Sequence, residues 1–302
     1  MEALIRQQED QDRSLFHPCP TDPDCPYCGA TPPSGSEAFD WSFVDAAYCI
    51  SLQSRPDRAA SAAAQFHRLG LCRQVTFHRP LKHPSMPKVG IWEAHRAVGL
   101  DALAKGRRTV LVLEDDVVFA RRVTPRTLRA VARALAGLPQ GWMIFFLGHW
   151  PLRAWFVRRN VLRTSSAGGH AYIASARLLA WLRDHPFGTA PIVRFAGTTI
   201  DAAYAALPDT FAYFPMLAIQ STSPSDHMTH DPGKRIKKLR HLVTRSSRRE
   251  LVQSRSMRPM ELMAVGLSPL FYLLDRLGRP MRARAPKLPP FIVAGEREEN
   301  SP

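Results

Sequence analysis

The run TVLVLEDDVVF at 109–119 constrains this chain more than any other stretch. Val110 to Leu113 form an unbroken apolar run, the pattern of a strand buried on both faces. Three carboxylates follow at once: Glu114, Asp115 and Asp116. Acids at the end of a buried strand repel one another and resist desolvation unless a cation or hydrogen-bond donors compensate them. In an open α/β sheet the carboxyl ends of the strands are where ligands bind. Carboxylate oxygens suit Mg²⁺ and Mn²⁺, which also bridge to phosphate oxygens. Extended geometry sends Glu114 and Asp116 to one side and Asp115 to the other, which makes the first two the metal pair. Taken alone, the triplet also reads as an acidic solvent-exposed turn.

Strand and helix alternate around it. The pattern predicts a strand in 43–52, a helix over 56–70 opened by Pro56 and closed by Gly70, and a strand over 74–79. A helix over 89–106 follows, with Ile91, Ala94, Val98 and Leu103 on one face. Beyond 119, Thr124-Pro125 opens a helix to about Ala136, and 142–148 (WMIFFLG) reads as another buried strand. Such alternation implies an α/β fold with a largely parallel sheet.

The ends differ in composition. Residues 1–38 are rich in Pro, Gly and Ser and lack apolar periodicity, so they read as an appendage to a domain spanning 39–232. Within them His17, Cys19, Cys25 and Cys28 form a candidate structural zinc set, and a proline-rich leader with incidental cysteines is the other reading. Five cysteines, an odd number, argue against a secreted disulfide framework. The opening residues lack the apolar core of a secretory signal, and no spanning helix is evident. A cytoplasmic protein is therefore expected. Residues 233–302 form a basic, partly amphipathic tail: 234–258 is densely basic, and 260–278 is apolar but interrupted by Glu261, Pro269 and Asp275. With a net charge of +15, the chain should be drawn to an anionic partner. A polybasic run beside an interrupted apolar helix suits an interfacial anchor on anionic lipid, here the cytoplasmic face of the inner membrane. A solvated basic extension is the alternative. No nucleic-acid-binding motif is present, and the basic residues lack interleaved aromatics.

Six segments occur in the order found in glycosyltransferase family 25, which includes lipopolysaccharide and collagen galactosyltransferases. Tyr48-Cys49-Ile50-Ser51-Leu52 with Arg55-Pro56-Asp57-Arg58 resembles its opening strand and turn, with Ser51 where Asn is usual. Gly90-Ile91-Trp92-Glu93-Ala94-His95 resembles its Gly-x-x-x-Ser-His segment, with Ala94 in place of Ser, and Leu113-Glu114-Asp115-Asp116 matches its Leu-Glu-Asp-Asp motif unchanged. Gly169-His170-Ala171-Tyr172-Ile173-Ala174-Ser175 is similar to the Ala-Tyr-x-x-Ser segment. Ile200-Asp201 and Gln220-Ser221…Ser225-Asp226 stand where the family has its acidic and Gln…Ser-Asp elements.

The resemblance implies a GT-A type nucleotide-diphospho-sugar transferase fold, a Rossmann-like mixed sheet flanked by helices. It also implies transfer of a hexose, often galactose, from a UDP-sugar to a glycan hydroxyl such as that of lipopolysaccharide, usually with inversion. Glu114 and Asp116 would hold Mn²⁺ or Mg²⁺ against the donor diphosphate. Arg55 and Arg58 would contact phosphate, or else be solvated arginines at a helix start. His95 and Asp115 would face the donor; an isolated histidine in an apolar helix is otherwise a satisfied core residue. Asp201 would be the base at the acceptor hydroxyl, or an ordinary helix-start acid. Asp226 and His227 would add a late metal or phosphate contact, although the family has an apolar residue where His227 stands. The competing reading is a degenerate transferase domain acting as a basic membrane- or nucleic-acid-binding adaptor, for which Ser51 and Ala94 speak.

Overall fold

The structure, a computed structural model, describes residues 15–28, 38–193, 199–221, 259, 261–277 and 283–284. Local signals place its first half. Helices α1 (Pro56–Arg68), α2 (Pro87–Ala104) and α3 (Pro125–Ala136) each begin with proline, whose missing N–H is no loss in a first turn. The Thr124 hydroxyl accepts the Thr127 N–H at the start of α3. Ser175 and Thr199 cap α4 (Ala176–Asp184) and α5 (Ile200–Tyr204) in the same way.

Strands β1 (Phe16–Pro18), β2 (Ala46–Ile50), β3 (Val75–His78), β4 (Thr109–Glu114), β6 (Ile144–Arg158), β7 (Val161–Ser175) and β9 (Thr210–Tyr213) form one sheet. Its order is β1-β3-β2-β4-β7-β6-β9. The sheet is mixed. β3, β2 and β4 run parallel, as do β6 and β9, whereas β7 is antiparallel to β4, β6 and β9. The expectation of a largely parallel sheet therefore fails in its second half. There β6 and β7, 15 residues each, form a long hairpin turned by Arg159 and Asn160, the latter at φ 62°. The apolar run ends at Gly148 and Pro151 follows, so the sequence suggests a strand stop. The ladder absorbs both through register shifts, and a bulge is where a strand tolerates proline.

Alternation in the strands builds two cores. Ala47, Cys49, Leu111, Leu113, Phe145 and Ile173 pack beneath α1 and α3. Tyr48, Val110, Val112, Phe146 and Tyr172 face α2, α4 and α5 on the other side. The result is a three-layer α/β fold, a mixed sheet flanked by helices.

The run 109–119 is two strands, not one. β4 stops at Glu114, Asp115 and Asp116 make a turn, and β5 (Val117–Phe119) pairs instead with β10 (Ala218–Gln220). Side-chain alternation thus ends at Glu114, so it does not place Glu114 and Asp116 on one face.

Both end segments touch the main body. Within 1–38, β1 adds an edge strand antiparallel to β3. Near the other end, the helical residues 261–266 and α6 (Ser268–Arg276) lie along β6. Glu261 is 2% exposed and accepts the Met216 N–H, at 2.9 and 3.2 Å to its two oxygens. The basic run 234–258 lies outside the described residues. Among the described residues no helix is long and apolar enough to cross a membrane.

Candidate active site at the acidic turn

The carboxyl ends of β2 and β4 carry the acidic turn. Its backbone is fixed on both sides: Asp115 N–H donates to the Ile50 carbonyl, and Ser221 N–H donates to the Asp116 carbonyl. Arg58, in the first turn of α1, reaches Asp115 with Nη1 3.3 Å from Oδ1, and both side chains are largely buried. Arg55 pairs instead with the exposed Asp57 at 2.8 Å.

From the opposite face α2 contributes His95, fully buried, with Nε2 3.4 Å from Glu114 Oε1 but not aligned for a hydrogen bond. Its Nδ1 lies 2.9 Å from the Tyr172 hydroxyl, which lies 2.8 Å from that of Tyr204. Gln220 Nε2 comes to 3.5 Å from Glu114 Oε2, and Trp150 Nε1 holds the Gln220 oxygen at 3.2 Å. Asp201 sits at the start of α5, where Oδ1 accepts the Gly168 N–H at 3.1 Å. Gly169 lets β7 pass close by: a Cβ there would stand 3.1 Å from Glu114 Oε1 and 3.2 Å from the His95 ring.

Burial dominates the titration of these groups. Burial and the nearby Asp201 carboxylate push Glu114 up to about 8. Burial also raises Asp116, with Glu114 and Asp115 adding repulsion. Burial raises Asp115 too, opposed by the Ser51 hydroxyl and by Arg58, and Asp201 rises for the same reason of burial. His95 is lowered to about 4 by burial, so its imidazole is neutral near pH 7. Asp116 Oδ1 is buried and has no hydrogen-bond partner. An orphaned carboxylate oxygen beside other buried carboxyl groups, with Glu114 pushed up to about 8, is the condition a cation relieves, because binding releases protons. The acids therefore fit a divalent ion. Glu114 and Asp116 belong to no close group of three ligands among the described residues, so phosphate oxygens and water would complete the shell.

The structure thus brings together Glu114, Asp115, Asp116, Arg58, His95 and Asp201, while Arg55 lies nearby with its guanidinium on Asp57. Asp226 and His227 fall outside the described residues. Sequence reasoning missed the support given by Trp150, Tyr204 and Gly168, and it gave Gly169, inside a matched segment, no role. Only the two glycines carried a signal, as an adjacent pair inside a strand.

The zinc expectation needs correcting. Cys25 and Cys28 do converge, but with His67 and Cys72, not with His17 and Cys19. His17 is exposed on β1 opposite Phe77, where strand pairing holds it away. The missed signal was His67-x4-Cys72 at the end of a helix.

No protein-family model matches the sequence, and no curated protein matches it. Solved structures give distant likenesses. A197 from STIV is 13% identical, over 58% of this chain and 83% of that one, with a TM-score of 0.34. UDP-glucose pyrophosphorylase, solved in complex with UDP-glucose, is 11% identical over 56% of this chain and 72% of that one, with a TM-score of 0.35. Mannose-1-phosphate geranyltransferase from Thermus thermophilus is 14% identical over 55% of this chain and 58% of that one, with a TM-score of 0.27. At that distance the site's chemistry rests on its own residues.

Proposed function

We propose that the chain is a metal-dependent glycosyltransferase of the GT-A type, similar to family 25, that transfers a hexose from a UDP-sugar to a glycan hydroxyl. The observation that carries this reading is the acidic turn at the carboxyl end of two parallel strands, with a buried, unpartnered Asp116 oxygen and Arg58 within reach. Glu114 and Asp116 would hold Mn²⁺ or Mg²⁺. When bound, the ion supplies positive charge that stabilises the departing diphosphate.

The other residues have separate tasks. Arg58 holds Asp115 now and stands where it would turn to a donor phosphate; Arg55 adds a second guanidinium at the same rim. His95, neutral and anchored by Tyr172, sets the position of Glu114 and limits water beneath the donor. Asp201, raised by burial, is the base: it takes the acceptor hydroxyl proton as the new glycosidic bond forms and the bond to the nucleotide diphosphate breaks. Its amide contact from Gly168 keeps the carboxylate in place.

A membrane-bound acceptor, such as a lipid-linked glycan, suits the tail. Leu262, Met263, Leu267, Leu270, Leu273 and Leu277 are all exposed on the helical stretch that lies along β6. Such a surface next to a polybasic run favours binding to anionic lipid at the inner face of the membrane.

Thermal shift with UDP-hexoses tests the reading. With Mn²⁺, a correct donor at about 100 times its Kd adds roughly 2.7 kcal/mol to stability. Asp116→Ala should abolish that gain and the metal-dependent hydrolysis of the donor. The reading fails if no UDP-sugar shifts the protein with metal present, or if Asp116→Ala binds donor as well as the parent.

A further inference from the structure

Away from the acidic turn, four side chains from three places in the sequence meet. Cys25 and Cys28 come from the leader, His67 from the last turn of α1, and Cys72 from the loop before β3. Their ligand atoms all lie within 4.8 Å of one another. Cys28 Sγ is 3.5 Å from Cys72 Sγ and 3.3 Å from His67 Nδ1, and Cys25 Sγ is 3.8 Å from Cys72 Sγ. A disulfide requires sulfurs about 2.05 Å apart, so these are thiols. A zinc ion with bonds of about 2.3 Å to sulfur and about 2.0 Å to nitrogen spaces its ligands by about 3.8 Å (S–S) and about 3.5 Å (S–N) in a tetrahedron. These three separations match a tetrahedral shell to within a few tenths of an ångström, and all the ligand atoms lie within 4.8 Å of one another.

The surrounding chain is shaped to present these ligands. The Asp22 carbonyl accepts Cys25 N–H and the Cys25 carbonyl accepts Cys28 N–H, folding the Cys-x2-Cys half into a knuckle. Across from it, Gly70 turns the chain between His67 and Cys72 with φ +62°. The Tyr27 ring lies over that glycine, only 2.7 Å from where a Cβ would stand. Leu71 N–H returns to the Phe66 carbonyl, and Trp41 Nε1 donates to the Leu69 carbonyl. Each half of the ligand set is thus braced by its own hydrogen bonds and by contact with the other half.

We infer that Cys25, Cys28, His67 and Cys72 bind one zinc ion. Four protein ligands close the coordination shell, so the ion is structural and leaves no position for substrate. It ties the leader to the far end of α1. The inference is independent of the glycosyltransferase reading.

Metal analysis of protein purified without chelator tests it. About one zinc per chain is expected, lost to below a tenth in Cys28→Ser and Cys72→Ser but retained in His17→Ala and Cys19→Ser. A second measurement on the unmutated protein keeps the test decisive if the cysteine variants do not fold. Alkylation mapped by mass spectrometry should label Cys25, Cys28 and Cys72 at least tenfold faster after zinc is stripped. Three results would overturn the proposal: a disulfide among these cysteines, zinc retained in both serine variants, or metal-free protein that takes up no zinc when it is supplied.

Discussion

Tyr172→Phe probes the buried polar chain beneath the acidic turn. The Tyr172 hydroxyl lies between His95 Nδ1 at 2.9 Å and the Tyr204 hydroxyl at 2.8 Å. All three side chains are essentially sealed from solvent. Phenylalanine keeps the ring, so packing changes little and the main effect is two polar groups left without a partner. Each such group costs about 1–3 kcal/mol, which puts the loss at about 2–4 kcal/mol once partial relaxation is allowed. Tyr204→Phe removes only the outer bond and should cost roughly half as much, about 1–2 kcal/mol. The double variant should cost less than the sum of the two singles, because they share that bond. Urea denaturation of all four proteins gives the comparison, with an unchanged m-value showing that only native-state interactions differ. Because His95 stands 3.4 Å from Glu114, Tyr172→Phe should also weaken donor-dependent stabilisation. The reasoning fails if Tyr172→Phe lies within about 0.5 kcal/mol of the parent, or if Tyr204→Phe costs more than Tyr172→Phe.

Other perturbations test other parts of the structure. Glu114 is held up to about 8 in the folded protein and titrates near 4.3 when unfolded. Its stabilising effect is therefore complete below about pH 4 and is lost as the pH rises through 8; without Mn²⁺ or Mg²⁺ the parent should weaken from pH 5 to pH 8, and Glu114→Gln should weaken less. Mn²⁺ affinity, read by calorimetry, should rise over the same interval as the proton leaves. Gly148→Ala puts a Cβ 2.3 Å from His170 Nε2 and 2.5 Å from the Ala218 carbonyl, so it should cost at least about 3 kcal/mol or abolish soluble expression. Glu261→Ala leaves the buried Met216 N–H without its acceptor and should lower stability by about 1–3 kcal/mol in denaturant, with increased proteolysis near the tail helix.

What the sequence revealed follows how local each signal was. Pro56, Pro125 and the Thr124 cap act within one helical turn, and those helices lie within two residues of their expected bounds. The apolar run Val110–Leu113 identified a central strand because its neighbours on both faces matter only as an apolar environment. The turn at Asp115 and Asp116 was not legible. It depends on Asp115 reaching the Ile50 carbonyl and on Ser221 reaching back to Asp116, contacts made across distant segments. The β6–β7 hairpin was hidden for a similar reason, since its bulges at Gly148 and Pro151 exist only with β7 alongside. Within the site, the acids were visible by type, whereas Trp150 and Tyr204 resemble any other core aromatic until their hydrogen bonds are seen.

The zinc ligands illustrate the same distinction and connect it to the site. Cys25-x2-Cys28 is a local motif and was visible; its other half lies about 40 residues on and becomes a partner only when α1 folds back over the leader. That helix spans both features. Its first turn brings Arg58 to Asp115, and its last turn presents His67 to the thiols. Thirteen residues at 1.5 Å each make a strut about 20 Å long. A rigid element fixed at one end by metal-ligand bonds has little freedom to pivot at the other. The leader, which reads in sequence as an appendage, thereby becomes part of what holds a guanidinium over the acidic turn. Its influence on the site passes through packing and helix geometry, with no residue of its own among the acids.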